Sequence, residues 1–535
     1  MLEINATGWR SERCEATNSC TGDGRPHVLL ALAILTLTVT AAACGKSTGQ
    51  ATVKVSGSAT ASPSPLAAGT TPVPSGDWLR FAYTAQRSGV YPSDTGIDRS
   101  DLERLERRVV HLSGVADSSA VELHAVRAAG RVRDLIFLTT TYGETIAIDP
   151  ATGATVWRYA PPDIATYQGS RQITTATPIV DPNRAYLYAA SPDGFIRKLT
   201  VATGSEVHSG GWPTRVTLDP THEKIGGALN LSGDSVVVVT GGYIGDAPPY
   251  QGHVVMIDRA TGHITRVWNS LSSNRHGLMR PSSSPASDSA IWARSGAVIE
   301  PGSGRILVAT GNGPFNGTTN WGDSVLELSP NASRLLHNWT PRDQARLDAT
   351  DTDLGSTAPA LVSVAGYRLA VQGGKDGQLH LLDLNALNGT RGGAGSRLGG
   401  ELQDIRSPGG AQVFTAPAMW SHGGRVYVFV ADGSGTAAYM VRVGGKPRLV
   451  TAWQNGSAGT SPVVAGGLLY VYDELDGRLN VYDPTGGRLL RSLPAAAGHW
   501  SSPIVVGGRI ILPTGGSPAN NASSSSLFIY HLPGR

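Results

Sequence analysis

Four side chains with the chemistry to bind a ligand fall at comparable places in a repeated sequence pattern. They are Trp292, Asn312, Asp353 and Lys375. The carboxylate of Asp353 and the amide of Asn312 are oxygen ligands of the kind that hard cations such as Ca²⁺ prefer. An indole offers a flat apolar surface, a lysine supplies a positive charge, and a positioned carboxylate can accept a proton. Asp246 is a further oxygen donor in an earlier repeat.

The pattern that must position these residues is a phrase that recurs along the chain. It consists of an alternating apolar strand, an acidic or polar residue and a Thr-Gly or Gly turn. The copies lie at 144–153, 194–204, 252–262, 323–330, 377–384, 436–444, 477–487 and 525–532. Repetition of one supersecondary unit along a chain predicts an array of stacked units.

Each repeat carries further strand signals upstream of the phrase. A Pro followed by β-branched residues starts a strand, as at Pro178, and an Asp-Gly hairpin turn follows two strands later, as at Asp193-Gly194. Four short strands joined as a meander make one blade of a propeller. The sequence therefore predicts an all-β fold, an eight-bladed β-propeller with four antiparallel strands per blade.

Ring closure must come from the first part of the predicted domain. The last copy, Ser526–Tyr530, reaches the end of the sequence too early to complete a blade. Because a closed ring leaves no free sheet edge, we expect a strand from the segment 78–112 to complete the eighth blade.

In a propeller, the residues before each innermost strand and the turn between the second and third strands lie on the same face. Trp292 and Asp353 precede predicted inner strands, whereas Asn312 and Lys375 follow predicted second strands. We therefore expect all four to meet at one mouth of the ring. Each also has a purely structural interpretation, namely a blade-packing indole, a turn asparagine, a loop-capping aspartate and a solvated turn lysine.

The blade phrase Asp-x-x-Thr-Gly-x-x-x-Trp and the opening segment 78–89 resemble the quinoprotein (PQQ-repeat) eight-bladed propellers, with the polyvinyl-alcohol dehydrogenase type as the most similar subgroup. That resemblance implies alcohol oxidation with PQQ and Ca²⁺. By residue-by-residue similarity, Trp292 would lie beneath the plane of the quinone and Lys375 would contact the quinone oxygens. Asp353 would be the catalytic base and a metal ligand, with Asn312 and Asp246 as the other metal ligands.

Several features depart from that family. The third-repeat turn 240–246 has no glutamate for the metal, so Asp246 would have to substitute for it. The predicted domain contains no cysteine, which excludes both an adjacent-cysteine ring over the quinone and a Cys-x-x-Cys-His haem site. Two alternatives therefore stay open: a non-enzymatic envelope scaffold like the outer-membrane assembly lipoproteins, and a glycan-binding module.

Composition and the N-terminal region suggest where the protein acts. With a net charge of +3 over 535 residues and no basic run, we expect no nucleic-acid partner. An apolar run from 28 to 43 ends in Ala-Ala-Ala before Cys44 and resembles a bacterial lipobox, although an ordinary signal peptide cleaved near Ala43 is the alternative.

The expected organisation is a signal sequence at 1–44, a Ser/Thr/Pro/Ala-rich tether at 45–76 and a propeller at 77–535. We expect an exported monomer that meets the membrane only through lipidated Cys44. Its partner would be a small alcohol or another envelope protein.

Overall fold

The protein is described by a computed structural model that covers residues 76–284, 286–387, 397–516 and 525–534. The predicted signal sequence, the lipidation site Cys44 and all of the predicted tether before Gly76 lie outside the described residues. Among the described residues, no helix is long and apolar enough to cross a bilayer.

Within these ranges the chain forms eight β-sheets built from sequential antiparallel strands. Two of the sheets also take up a strand from the first part of the described chain. Blades 1 to 4 each contain four strands. Their bounds are β3 Val121–Ala128, β4 Arg131–Thr139, β5 Thr145–Ile148 and β6 Thr155–Tyr159 in blade 1; β7 Ile179–Val180, β8 Tyr186–Ser191, β9 Phe195–Thr200 and β10 Thr214–Arg215 in blade 2; β11 Asn230–Ser232, β12 Ser235–Val239, β13 His253–Asp258 and β14 Ile264–Asn269 in blade 3; and β15 Val298–Ile299, β16 Ile306–Ala309, β17 Val325–Leu328 and β18 Leu335–Trp339 in blade 4.

Blades 5 to 8 continue the same order around the ring. Their bounds are β19 Ala360–Val364, β20 Tyr367–Gly373, β21 Gln378–Asp383 and β22 Gln403–Arg406 in blade 5; β23 Ala418–His422, β24 Arg425–Ala431, β25 Thr436–Arg442 and β26 Arg448–Asn455 in blade 6; β27 Val463–Ala465, β28 Leu468–Asp473, β29 Arg478–Tyr482 and β30 Leu489–Pro494 in blade 7; and β31 Ile504–Val506, β32 Arg509–Pro513 and β33 Ser526–His531 in blade 8.

Helical segments are short and connect the strands. They are α1 Ile164–Tyr167, α2 Gln344–Ala349 and three 3-10 turns at Arg99–Asp101, Pro281–Ser283 and Leu354–Ser356. The prediction of an all-β, eight-bladed propeller with four antiparallel strands per blade is confirmed.

Ring closure uses the segment that the sequence indicated. The strand β2 (Glu106–His111) pairs antiparallel with β33, with Glu106 opposite His531, and completes blade 8. A further strand that the sequence did not predict, β1 (Val90–Tyr91), pairs parallel with β27 and gives blade 7 a fifth, innermost strand.

The repeated phrase has a packing explanation. Its glycine adopts positive φ, as at Gly204 (φ +71°) and Gly487 (φ +70°). A Cβ at Gly204 would stand 2.5 Å from the ring of Trp157, and one at Gly487 would stand 2.5 Å from Trp453. Each indole belongs to the preceding blade, so the glycine both permits the turn and makes room for the tryptophan that joins neighbouring blades.

The segment 78–91, here called the channel plug, crosses the end of the ring opposite the mouth. Its backbone carbonyls accept hydrogen bonds from residues of the inner strands of four blades: Val180, Ile299, Met419 and Val464. The guanidinium of Arg87, 2% exposed, donates to the carbonyl oxygens of Phe81, Ala228 and Leu229. The plug lies beyond the residues that line the mouth, so it closes the channel beneath them.

Candidate functional site

A cavity of about 340 Å³ lies at the mouth of the channel and is here called the mouth cavity. Its walls come mainly from the segments that precede the inner strands of successive blades, together with the turn 240–246 between β12 and β13. The side chains that line it include Asp117, Arg171, Thr175, Lys224, Asp246, Trp292, Arg294, Asp351, Asp353, Lys375, Phe414, His499 and Trp500.

Asp353 and Lys375 form an ion pair in this cavity. The ammonium of Lys375 contacts Asp353 Oδ2 and lies 3.2 Å from Asp351 Oδ1. The other oxygen of Asp353, Oδ1, accepts a hydrogen bond of 2.8 Å from the backbone N–H of Asn312. Both carboxylate oxygens of the 3%-exposed Asp353 therefore have donors, so the buried charge is paired.

The local fold explains why these groups meet. Asp353 precedes the 3-10 turn that leads into β19, and Lys375 follows β20 in the same blade. The backbone N–H of Lys375 donates 2.9 Å to the carbonyl of Asp353, which ties the two segments together. Gly311, which follows β16, contributes by its small size, because a Cβ there would stand 2.1 Å from Asp353 Oδ1.

Burial and charge shift the acidity of the pair. Burial raises the pKa of Asp353 above its ordinary value, and Lys375 and the Asn312 N–H counteract this only in part. Burial alone would lower the pKa of Lys375, but Asp353 and then Asp351 raise it. Lys375 is thus held as an ammonium beside a carboxylate whose affinity for a proton is increased.

Trp292 forms one side of an aromatic wall next to this pair. The Lys375 ammonium lies 5.6 Å from the centroid of the Trp292 ring, within reach of a cation–π contact. Phe414 and Trp500 stack on each other at 4.5 Å and lie 6.1 and 6.3 Å from Trp292. A planar ligand would find an apolar surface here beside a fixed positive charge.

The predicted metal ligands differ in whether their side chains reach the mouth cavity. Asp246 lines the mouth cavity, and its carboxylate accepts a hydrogen bond of 3.0 Å from the Tyr250 hydroxyl. Burial, and then the charge of Asp353, raise the pKa of Asp246 to about 6. Asn312 bonds to Asp353 through its backbone, and it is not among the residues that line the cavity. No group of three or more His, Cys, Asp or Glu within the described ranges could hold a metal ion.

The structure thus places Trp292, Asp246, Asp353 and Lys375 in one cavity. Asn312 lies outside the lining and contacts the site through its backbone hydrogen bond to Asp353. Their roles as base, cofactor contacts and metal ligands stay predictions.

Sequence reasoning missed a second set of cavity residues, two of which belong to the aromatic wall. They are Asp117, Lys224, Arg294, Phe414, His499 and Trp500. All of them lie in segments that precede inner strands, as Trp292 and Asp353 do. Applying the same positional rule to all eight repeats would have found them.

Lys224 is a cavity cation without an ion-pair partner among the described residues, as is Arg171. Its half-buried ammonium makes no hydrogen bond or ion pair with any residue that the structure describes, whereas Lys375 and Arg294 are both paired. Burial, and then the charge of Arg294, lower the pKa of Lys224 to about 8. An anionic group of a ligand would therefore find a free positive charge at this side of the cavity.

Comparison with known families supports the repeat assignment. The family model PQQ_2, described as outer membrane protein assembly factor BamB, matches residues 99–277, which include β2 and blades 1 to 3. No curated protein matched the chain in the sequence comparison.

Solved structures share the fold at low sequence identity. The quinohemoprotein alcohol dehydrogenase of Comamonas testosteroni superposes with a TM-score of 0.62 and 16% identity over 86% of this chain and 81% of that chain. Quinohemoprotein alcohol dehydrogenase ADHIIG of Pseudomonas putida HK5 gives a TM-score of 0.63 and 14% identity over 88% and 83%. A europium-containing methanol dehydrogenase gives 0.61 and 15% over 85% and 98%. The resemblance to PQQ-repeat eight-bladed propellers is confirmed, and at these identities it establishes the fold alone.

Proposed function

We propose that the mouth cavity binds a planar quinone of the PQQ type and that the protein oxidises a small alcohol. The observation that carries this proposal is the Asp353–Lys375 ion pair beside Trp292, in a cavity closed below by the channel plug. The fold shared with quinohemoprotein alcohol dehydrogenases supports it.

The residues present fit an anionic aromatic quinone. Trp292 supplies a plane, Lys375 a cation for carbonyl oxygens, and Lys224 a second cation that has no partner among the described residues. When bound, the quinone supplies the acceptor for a hydride from the alcohol carbon.

Calcium fits less well than the quinone. Both oxygens of Asp353 already have donors, Asp246 accepts from Tyr250, and the turn 240–246 offers no glutamate. A hard cation of this kind takes about six to eight oxygen ligands. We therefore keep Ca²⁺ with Asp246, Asn312 and Asp353 as a prediction and derive no step through it.

In this proposal the chain's own residues orient the alcohol and move its hydroxyl proton. Asp353 accepts that proton, because burial increases the affinity of its carboxylate for a proton. Lys375 holds the carboxylate in place and presents positive charge where an oxygen becomes more negative. The plug and the aromatic wall limit access of water to the cavity from below.

Quinone binding is tested by titrating purified protein with PQQ, with and without Ca²⁺, and following tryptophan fluorescence and dye-linked oxidation of a panel of alcohols. We expect saturable quenching, and oxidation that falls by about 10²–10⁴-fold in Asp353→Asn. The matched control is Asp163→Asn, an exposed aspartate that makes no side-chain cap bond to α1. Absence of both binding and dye reduction would remove the proposal.

A second candidate, a non-enzymatic envelope scaffold, is favoured by the matching family model, whose description is an assembly factor. Two exposed apolar side chains on the mouth face, Ile244 (61% exposed) and Leu475 (64%), would be contact points. Complementation of a deletion strain distinguishes the two functions. A scaffold tolerates Asp353→Asn and fails with Leu475→Asp, whereas an enzyme shows the reverse. Ile244 also lines the mouth cavity, so its substitution does not separate the two functions.

We also propose export and attachment to the membrane through lipidated Cys44, with the propeller outside the cytoplasm. The support is the apolar run and small residues before Cys44 in the sequence. Metabolic labelling with radioactive palmitate tests it. Labelled wild type and an unlabelled Cys44→Ala variant are expected, and equal labelling of the two would contradict lipidation at this residue.

A further inference from the structure

A histidine and a buried aspartate form a dyad on the side of the mouth cavity away from Asp353. Nδ1 of His499 lies 2.8 Å from Oδ2 of Asp117, whose side chain is fully buried. Arg294 donates 2.6 Å to the same carboxylate oxygen and 2.6 Å to the backbone carbonyl of Asp117. The three residues come from the segments before the inner strands of blades 1, 4 and 8.

The charge state of Asp117 indicates which ring nitrogen of the neutral His499 side chain carries the proton. Burial would raise the pKa of Asp117, but Arg294 and then His499 lower it to about 2. A carboxylate ionised at neutral pH accepts hydrogen bonds and cannot donate them. Nδ1 also lies 2.9 Å from Nη2 of Arg294, but that nitrogen already donates to Asp117 Oδ2 at 2.6 Å. We therefore assign the proton of neutral His499 to Nδ1, which donates it to Asp117, and leave Nε2 unprotonated.

The imidazole ring of His499 is held in place by its neighbours and lies at the wall of the cavity. His499 stacks on Trp500 at 4.2 Å and 21°, and Arg294 lies 5.2 Å from the centroid of the same indole. Nε2 makes no hydrogen bond with any described residue, and His499 lines the mouth cavity. A lone pair on a fixed imidazole is thus presented to whatever the cavity binds.

We propose that His499 is a second proton-transfer group of the mouth cavity, positioned by Asp117 and acting on a hydroxyl-bearing ligand. In the step, Nε2 accepts the hydroxyl proton, the O–H bond breaks, the oxygen keeps the electron pair, and the imidazolium is neutralised by the Asp117 carboxylate. The reverse transfer returns the proton to the ligand. This function goes beyond the proposed quinone chemistry and does not require it.

Two charged groups lie against Nδ1 of His499. Asp117 Oδ2 lies 2.8 Å from it and Arg294 Nη2 lies 2.9 Å from it. Arg294 is itself neutralised by Asp117. The dyad is therefore a carboxylate-oriented imidazole, which is the arrangement that general base catalysis uses.

The tautomer gives a test that needs neither quinone nor substrate. In protein carrying ¹⁵N-histidine, the His499 signals, assigned by their loss in His499→Gln, are expected to show a protonated Nδ1 and an unprotonated Nε2 at neutral pH. Asp117→Asn should abolish this preference. A wild-type His499 with the proton on Nε2 would overturn the proposal.

A reactivity measurement covers the case in which Asp117→Asn does not fold. Diethyl pyrocarbonate reacts with unprotonated imidazole nitrogens, and peptide mapping locates the product. We expect wild-type His499 to react at Nε2 while the buried His253, 0% exposed, stays unmodified in the same sample. A His499 that resists the reagent in folded protein would also overturn the proposal, because its Nε2 would not face the cavity.

Activity then separates this inference from the proposed function. If the protein oxidises alcohols, His499→Gln should remove one limb of the pH–rate profile, which the loss of a packing contact alone would not do. If quinone binding fails altogether, the tautomer and reactivity results still decide the role of His499.

Discussion

At the scale of single residues, the mouth cavity depends on how closely Asp353 approaches the backbone of blade 4. Its Oδ1 accepts from the Asn312 N–H, and Gly311 leaves the space for it. Neither feature requires a particular asparagine side chain. The amide of Asn312 that the sequence offered as a metal ligand is therefore less informative than the glycine beside it.

Gly311→Ala should displace Asp353. The new Cβ would stand 2.1 Å from Oδ1, and the backbone of Gly311 does not adopt positive φ, so the effect would come from the collision. Overpacking of this kind costs about 1–3 kcal/mol of unfolding free energy. Thermal unfolding and PQQ titration of the variant measure it, and Gly444→Ala, with no atom within 4 Å of the added Cβ, is the control. Unchanged stability and binding in Gly311→Ala would contradict this geometry.

Lys224 should make binding of an anionic quinone dependent on pH. Because its pKa is lowered to about 8, its positive charge is present at pH 7 and largely lost at pH 9. We expect affinity for PQQ to fall about tenfold over this range, since a hydrogen bond to a charged group contributes about 1.5–3 kcal/mol. Lys224→Met should bind weakly and with little pH dependence, measured by fluorescence quenching. The exposed Lys446→Met is expected to behave as wild type.

At the scale of elements, a buried polar network joins the strands of blade 5 behind the site. His380 in β21 bonds through Nε2 to Asp376, 2.9 Å away in the turn after Lys375, and through Nδ1 to Asp404 of β22, 2.8 Å away. Trp339 of blade 4 packs against the same ring at 4.9 Å. The turn that presents Lys375 is thus anchored by a charged histidine.

The contribution of His380 to stability should decline in alkali. Burial alone would lower its pKa, but hydrogen bonds with Asp376 and Asp404 raise it to about 9. Because the folded pKa exceeds the unfolded value, the stabilisation is complete below pH about 6.5 and is lost as pH rises through 9. The difference in unfolding free energy between wild type and His380→Gln should shrink by about 2–3 kcal/mol between pH 6 and pH 9.5.

Urea unfolding at the two pH values measures this shrinkage. His276→Gln, at an exposed position, serves as the control. A difference between wild type and His380→Gln that stays constant with pH would contradict the assignment.

At the scale of the whole molecule, the channel plug closes the end of the propeller channel opposite the mouth. Its hydrogen bonds join inner strands on several sides of the ring, and the buried Arg87 fixes its path. The mouth cavity consequently has its opening on the face that also carries Ile244 and Leu475. Ligand access and any protein contact there would compete for the same surface.

Arg87→Met should loosen the plug and destabilise the ring. It leaves the carbonyls of Phe81, Ala228 and Leu229 without their donor, and an unsatisfied buried polar group costs about 1–3 kcal/mol. We expect a lower Tm and faster proteolysis near the N-terminal end of the described chain. Arg131→Met, at an exposed position in β4, should leave both unchanged. An unaltered Tm in Arg87→Met would show that the plug does not depend on this residue.

The blade count, the strand order and the segments that reach the mouth could all be predicted from the amino-acid sequence. Those features follow from a local pattern of alternating apolar residues, Thr-Gly turns and blade-joining tryptophans. This pattern can be recognised in each repeat separately. The same pattern placed Trp292 and Asp353 before inner strands and predicted that residues 78–112 close the ring.

The pairing of side chains, in contrast, could be known only from the three-dimensional structure. The pairing of Lys375 with Asp353, the meeting of Asp117, Arg294 and His499, and the extra strand β1 all join segments that are far apart or differently placed in the chain. Such contacts depend on the radius and register of the closed ring, a property of all eight blades together. No periodicity within one repeat contains that information.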